Sequence, residues 1–400
     1  MKLRVAELFA GVGGFRLGFD NEIFETVWAN QWEPGTDRRQ FAWRCYESHF
    51  GDGSCVNRDI NEVLDDYENG LIEIPDVDIV VGGFPCQDYS VAKPLPDAAG
   101  IEGEKGVLWW DMYRFARLKR PKYCLFENVD RLLKSPAPRR GRDFAIMLAC
   151  LCNLGYDVEW AVINSADYGF PQRRKRVYIL AKRSELTFGT TLARAFPYDG
   201  TTNCTAFDIP EDPYEITTSF NLDGNASPFL SRGKVSKHHV ITYEPDAVVY
   251  DGERMTLGDV LAPADEVPER FWIPEEQLKR WEYLKGAKKE PRIAKNGHEY
   301  MYTEGAITYP DMLDRPSRTI LTSEGGTAPS RMKHVVKQGD RLRRLMPDEL
   351  DKLQMFPMGW TDTGMTESQR AFCMGNALVV GVVRRIADEI AEEAQWVIRS

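Results

Sequence analysis

A cysteine placed directly after a proline, in the stretch GGFPCQDYS (residues 82–90), is the first residue in this chain whose type and setting could do chemistry. A single cysteine is most often a buried, inert part of a core. Around Cys86, however, an apolar strand ends in GGFP, whose glycines and proline shape a loop, and polar Gln87, Asp88, Tyr89 and Ser90 follow. A thiol presented there points outward, and as a thiolate it is a strong nucleophile. The second such residue is Glu127, at the end of the apolar run YCLFENV. A carboxylate there caps the next helix or pairs with an arginine; in a partly desolvated cleft it gains proton affinity and holds or donates a proton. The third element is YGFPQRRKRVYIL (168–180), where Arg174 and Arg176 alternate with Lys175 on the way into a strand. They share one face and suit a carbonyl oxygen or a phosphate, with a solvated strand edge as the plain alternative.

A fourth stretch, FAGVGGFRLGF (9–19), follows the first strand. Gly11, Gly13 and Gly14 allow a tight turn and close approach of the backbone to a ligand. Their spacing departs from GxGxxG, which disfavours a nicotinamide or flavin dinucleotide. After the second strand, NQWEPG (30–35) sets Trp32 against a nucleoside and Gln31 or Glu33 at ribose hydroxyls, and RDI (58–60) offers Asp59 to an exocyclic amine. Together these suit an adenosine-bearing cofactor without pyrophosphate.

The elements that must position these residues follow from periodicity. Up to about residue 183, LRVAELF, FETVWAN, VDIVVGG, KYCLFENV, YDVEWAVI and RVYILAK read as strands, with helical periods at Gly106–Leu118 and Phe144–Leu154. This alternation predicts an α/β fold, a Rossmann-like, mostly parallel sheet with helices on both faces. Its ligands gather beyond the carboxyl ends of the strands, where Gly11, Cys86 and Glu127 all fall. From Glu185 to Asp311 the chain is broken by Pro, Gly, Asp and Thr, with one helical period at Glu275–Leu284, and reads as a second, smaller, irregular domain. Near the end Val379, Val383, Ile386, Ile390, Ala394 and Val397 fall on one helical face, which should pack back on the first domain. No apolar run approaches the ~18 residues of a membrane span. Eight dispersed cysteines without CxxC pairs predict reduced thiols and no metal, in a cytoplasmic protein. The net charge of −10 opposes a nucleic-acid partner, but Met112 to Arg142 carries ten basic side chains against two acidic ones. With QRRKR (172–176) and DRLRRL (340–345), this run predicts a phosphate-contacting wall whose affinity falls steeply with salt.

Six segments, FAGVGGFRLGF, GGFPCQDYS, FENV, DYGFPQRRKRVYI, RPSRTI and MGNA, together resemble the DNA cytosine-5 methyltransferase family, in the family's order and over most of the chain outside about 185–310. The resemblance implies an S-adenosylmethionine-binding catalytic domain at 1–184, a target-recognition domain at 185–311 (extending to about 335), and a return segment at 312–400 that completes the catalytic domain. It implies that Cys86 adds to carbon 6 of a flipped cytosine while Glu127 bonds the ring nitrogen 3 edge, so that carbon 5 can take a methyl group. Arg176 would hold the base oxygen, and Arg174 the loop or a phosphate. Around the cofactor it implies Phe9, Gly11, Gly13, Gly14, Trp32, Asp59, Ile60, Pro85, Leu108, Asn376 and Ala377. Two departures stand out: Gln31 occupies the position of the family's usual ribose-binding acid, with Glu33 two residues on, and Ala377 replaces a common small hydroxyl residue. Toward DNA it implies Gln87 and Ser90 in a lid from Gln87 to Lys105, Arg318 and Thr319 as organisers of the recognition region, and a groove-facing loop at Thr322–Arg331. His238 and His239 fit surface polarity better than base reading. The implied protein is a monomeric prokaryotic or phage modification enzyme acting on double-stranded DNA beside a restriction endonuclease. A transfer RNA enzyme of the same fold and a non-catalytic DNA-binding relative are the alternatives, and a nicotinamide oxidoreductase a distant third.

Overall fold

The six apolar runs form six strands of one sheet. The computed structural model describes residues 2–35, 39–84, 108–136, 139–186, 190–224, 226–293 and 297–399. Its strands are β1 (Leu3–Leu8), β2 (Phe24–Asn30), β3 (Ile79–Gly83), β4 (Tyr123–Val129), β5 (Tyr156–Asn164), β6 (Lys175–Arg183), β7 (Tyr198–Asp208), β8 (Arg232–Ser236) and β9 (His239–Val248). Between them lie α1 (Gly14–Gly18), α2 (Phe41–Phe50), α3 (Ile60–Glu68), α4 (Leu108–Lys119), α5 (Arg142–Asn153), α6 (Thr191–Ala195) and α7 (Pro213–Ser219). The sheet order is β2-β1-β3-β4-β6-β5-β8-β9-β7. The pairings among β2, β1, β3 and β4 are parallel and the rest antiparallel. Strands β1 to β5 and β9 therefore point one way, and β6, β7 and β8 the other.

Both faces are covered, as near-continuous apolar strands require. On one face Ala6, Leu8, Val80, Phe126, Val177 and Ile179 share a core with α3, α4 and α5. On the other, the C-terminal helix, Val380–Arg399, buries Val383, Ile386 and Ile390 completely. It packs so closely on α1 that a Cβ at Gly18 would stand 2.3 Å from Val383 Cγ1. Buried Lys182 of β6 donates to Glu393 of the same helix at 3.0 Å. The expected return of this helix to the first domain is what the structure shows.

Two expectations need correction. The segment after residue 184 does not leave the sheet: β7, β8 and β9 extend it, and one compact unit comprises Met1–Tyr168, Arg174–Gly252 and Val380–Ser400. Strand β7 (YDGTTNCTAFD) is exposed along almost its whole length, so it has no apolar alternation and is held by backbone pairing to β9. The second unit, Gly169–Arg173 with Glu253–Val379, carries two short hairpins and the helices α8 (Glu275–Lys285), α9 (Pro347–Leu353) and α10 (Glu367–Asn376), which makes the C-terminal helix α11. Two of its buried ion pairs are Arg343 with Glu349 at 2.6 Å and Arg370 with Asp351 at 3.1 Å. The second correction concerns the basic run. Arg114 pairs with Asp65 (2.7 Å), Arg117 with Glu68 (3.1 Å), Lys119 with Asp76 (3.0 Å) and Lys122 with Asp78 (2.9 Å). Arg139 donates to the carbonyls of Thr217 and Phe220 at the end of α7. These five cations are engaged in stitching elements together, so they are not wholly given over to a phosphate-facing wall. In the second unit Arg341 and Arg343 are likewise paired, with Glu269 and Glu349. Among the described residues, no helix is long and apolar enough to cross a membrane.

Candidate active site

Strand β1 runs straight into the glycine loop. Phe9, Gly11 and Gly13 adopt positive φ of 53°, 56° and 89°. The glycines serve different ends. A Cβ at Gly13 would stand 2.5 Å from the Phe50 ring, so that position answers to packing, whereas a Cβ at Gly11 would meet no described atom within 4 Å. Gly11 therefore borders open space, as a ligand-facing turn requires. Gly14 is buried at the start of α1. Beneath the loop, fully buried Glu7 accepts from the Tyr46 hydroxyl (3.0 Å) and the Arg16 N–H (3.4 Å). Burial still pushes its carboxyl up to about 7.

Beyond β2 the chain is held by neutral amides. The Gln31 side-chain oxygen accepts from the Gly11 N–H (2.7 Å), its amide nitrogen donates to Glu33 Oε1 (3.5 Å), and its backbone carbonyl accepts from Asn57 Nδ2 (2.7 Å). Gln40, at the N-cap of α2, accepts from the Glu33 N–H (3.1 Å) and Asn57 Nδ2 (2.8 Å) and donates to the Glu33 carbonyl (2.6 Å). Burial raises the Glu33 carboxyl, against the bond from Gln31 and the charge of Arg39. Trp32 is half-buried beside them. Asp59 caps α3, its Oδ1 accepting from the Asn61 N–H at 2.9 Å. Ile60, expected at the cofactor, is 4% exposed and belongs to the core, because the first turn of α3 tucks it under the sheet. Leu108 is half-buried at the start of α4, and one turn further Asp111 is pushed up to about 7 by burial, with the charge of Asp59 adding to the effect.

The carboxyl ends of β3 and β4 supply the reactive end. Gly83 lies in register with Glu127. A Cβ at Gly83 would stand 3.0 Å from Glu127 Oε2, and one at Gly82 would stand 2.7 Å from the Leu8 carbonyl, so the doublet before Phe84 lets backbone and carboxylate meet. Asn128 donates from Nδ2 to the Phe84 carbonyl at 2.9 Å, tying β4 to the chain just ahead of residue 85. Phe84 also meets Trp109 of α4, ring centroids 5.9 Å apart. Pro85, Cys86, Gln87, Ser90 and the expected lid to Lys105 lie outside the described residues.

Antiparallel to β4, β6 sets Arg176 opposite Val129 and Tyr178 opposite Glu127. Arg176 Nε lies 2.8 Å from Glu127 Oε1, with the two side chains 17% and 12% exposed. At that shielding the pair is screened less by solvent than a surface ion pair. Burial raises the Glu127 carboxyl, and the charges of Arg176 and Arg174 pull it back. Arg174 is 2% exposed. Burial and the charge of Arg176 lower it to about 9, so it keeps its proton at neutral pH. Both arginines thus act electrostatically on Glu127. A carboxyl so placed is suited to sharing a proton with a ring nitrogen, beside a guanidinium that can hold an oxygen.

The remaining expected residues lie in the second unit or on the surface. Asn376 is exposed at the end of α10, and the carbonyl of the following Ala377 accepts from Gln354 Nε2 at 3.0 Å. Arg318 grips Asp311 through Nε (2.7 Å) and an Nη (3.2 Å), and the Thr319 hydroxyl donates to the Arg173 carbonyl. These two therefore organise their segment from within, with their polar groups engaged in the unit. His238 and His239 make surface contacts with Asn153 and Asp208. Four residues escape a reading of the sequence: Asn128, Gln40, Asn57 and Asp111. Only Asn128, inside FENV, carries a local signal; Gln40 and Asn57 bond residues 7 to 26 positions away.

A family model for C-5 cytosine-specific DNA methylases matches residues 3–392. A type II methyltransferase of Staphylococcus aureus, M.Sau3AI, is 41% identical, the match covering 97% of this chain and 95% of that one. Another, M.Bsp6I of Bacillus sp. (strain RFL6), is 26% identical over 97% of this chain and 98% of its own length. Among solved structures, the S. pombe Dnmt2 methyltransferase superposes with a TM-score of 0.59 at 16% identity, covering 99% of both chains, a likeness of fold. With the glycine loop, Glu127 and the two arginines in place, the chain belongs to the C-5 cytosine-specific DNA methylase family.

Proposed function

We propose that the protein methylates carbon 5 of cytosine within a specific double-stranded DNA sequence, as a prokaryotic modification methyltransferase, with S-adenosylmethionine as cofactor. The shielded Glu127–Arg176 pair at the root of the Cys86 loop carries this reading. Cytosine carbon 5 is a poor nucleophile, so the ring must first gain electron density. Cys86, as thiolate, forms a bond to ring carbon 6. Glu127, whose proton affinity burial raises, meets the resulting charge with a proton at ring nitrogen 3. Arg176 holds the ring oxygen, and Arg174 fixes the potential behind it. S-adenosylmethionine supplies an electrophilic methyl group, which carbon 5 takes. Loss of the carbon 5 proton to a base then expels Cys86 and the ring nitrogen 3 proton returns to Glu127, regenerating the thiolate and the aromatic ring, with S-adenosylhomocysteine as the other product. Because a stacked base hides carbon 6, the cytosine is flipped out.

The residues present fit such a cofactor. Gly11 faces open space, the Glu33 carboxyl stands beyond β2 beside Gln31 where ribose hydroxyls could be met, Trp32 is half-buried for an adenine face, and Asp59 lies at the start of α3. Asn376 and Ala377 are assigned to cofactor binding, Gln87 and Ser90 to DNA contacts, and the second unit to target choice. The protein is assigned to the cytoplasm, as a monomer serving beside a restriction endonuclease. Labelled methyl transfer to mixed-sequence duplex DNA and to transfer RNA, followed by sequencing of modified cytosines, tests the reading. We expect label in DNA, at one short motif. Label confined to RNA, or no label with either, would contradict it.

A further inference from the structure

We infer that Glu33 is the residue that accepts hydrogen bonds from the ribose hydroxyls of the cofactor, and that Gln31 is a positioning residue that holds both Glu33 and the glycine loop. This rests on the functional reading above and deepens it, since it decides between two ribose ligands that the sequence and the family resemblance leave open. The polar groups of Gln31 are turned onto the protein: its N–H to the Val56 carbonyl (3.1 Å), its carbonyl to Asn57, its side-chain oxygen to Gly11 N–H (2.7 Å) and its amide nitrogen to Glu33. It is 6% exposed.

Glu33 is the opposite case. Its backbone is clamped on both sides by Gln40, at 3.1 and 2.6 Å, while among the described residues its carboxyl receives one long hydrogen bond, 3.5 Å, from Gln31. The result is a fixed backbone presenting a carboxylate with acceptor capacity to spare, three residues beyond the end of β2. Sugar hydroxyls are donors, and a carboxylate accepts from them in charge-assisted bonds stronger than those to an amide oxygen. The neutral amide at 31 also does what a carboxylate could not: it accepts from Gly11 and donates to Glu33 with the same group, without setting two negative charges side by side.

Asn57 and Gln40 complete the frame. Asn57 Nδ2 reaches both the Gln31 carbonyl (2.7 Å) and Gln40 Oε1 (2.8 Å), so the two sides of the turn move as one.

Calorimetry of the full-length protein with S-adenosylhomocysteine, and with its analogue lacking both ribose hydroxyls, tests this for wild type, Glu33→Gln and Gln31→Leu. Wild type should prefer the hydroxylated ligand. Glu33→Gln should lose roughly 10- to 100-fold of affinity for it, the range of a charge-assisted hydrogen bond, while its affinity for the analogue stays at the wild-type level. Gln31→Leu should weaken both ligands alike and lower the unfolding midpoint, as loss of a positioning group would. Glu33→Gln retaining the full hydroxyl preference, with Gln31→Leu abolishing it, would overturn the assignment. Failure of wild type to bind S-adenosylhomocysteine at all would overturn the functional reading, and this inference with it.

Discussion

Two places in the sheet are finished in opposite chemistry. Beyond β2, Gln31, Gln40 and Asn57 hold the turn with uncharged amides, while across β4 and β6 Glu127, Arg174 and Arg176 bring a carboxylate and two guanidiniums into a shielded cluster. The first arrangement fixes geometry without creating a field. The second creates a field, at a cost in desolvation. If, as proposed, the amides hold the cofactor's seat and the ions the reacting base, the two ends should fail in different kinetic parameters.

The sharpest way to break the comparison is at the charged end. Glu127→Gln keeps the shape and removes the titrating group; methyl transfer should fall by about 10²- to 10⁴-fold in kcat, with S-adenosylhomocysteine affinity unchanged by calorimetry. A fall in affinity in place of kcat would erase the distinction. Arg176→Met should cost about 10²-fold in kcat, and, because it leaves Glu127 unpaired, about 1–3 kcal/mol of stability in a urea titration. Gln40→Ala, at the neutral end, should raise the KM for S-adenosylmethionine about 10-fold while sparing kcat at saturation, with a comparable 1–3 kcal/mol loss in urea, since it breaks three hydrogen bonds of a buried side chain.

The smallest expected effect concerns Glu7, a buried carboxyl without the arginine pair that Glu127 has. Burial lifts it from an ordinary 4.5 to about 7. The folded state therefore binds a proton that the unfolded state has released, and this contribution is complete below the ordinary value and lost as pH rises through about 7. Glu7→Gln keeps an acceptor for Tyr46 and should flatten the fall in unfolding midpoint between pH 5 and pH 8. Asp111 and Glu159, also raised to about 7 by burial, should preserve the rest of that slope.

How much of this was legible beforehand follows the range of the interactions. Strands β1 to β6 announce themselves because each is buried on both faces and reads as an apolar run, and Arg174 and Arg176 could be placed on one face from alternation alone. Strand β7 could not be read, because its Thr, Asn and Asp residues face solvent and its order comes from pairing to β9. The basic run from Met112 to Arg142 misleads for a related reason: the partners of Arg114, Asp65 and Glu68, lie 49 and 46 residues earlier, so excess local charge is balanced in space. Gln31 looks like a weak ribose ligand until the Gly11 N–H, 20 residues away, is seen to occupy its side-chain oxygen.

The measurement that tests the central claim most directly uses duplex DNA in which the target cytosine carries fluorine at carbon 5. With no proton to lose there, the expulsion of Cys86 is blocked, and the account predicts a covalent protein–DNA species that forms only with S-adenosylmethionine present, maps to the peptide containing Cys86, and forms far more slowly with Glu127→Gln. Methyl transfer to ordinary DNA by the same preparation, without any such adduct or with an adduct on another residue, would contradict it.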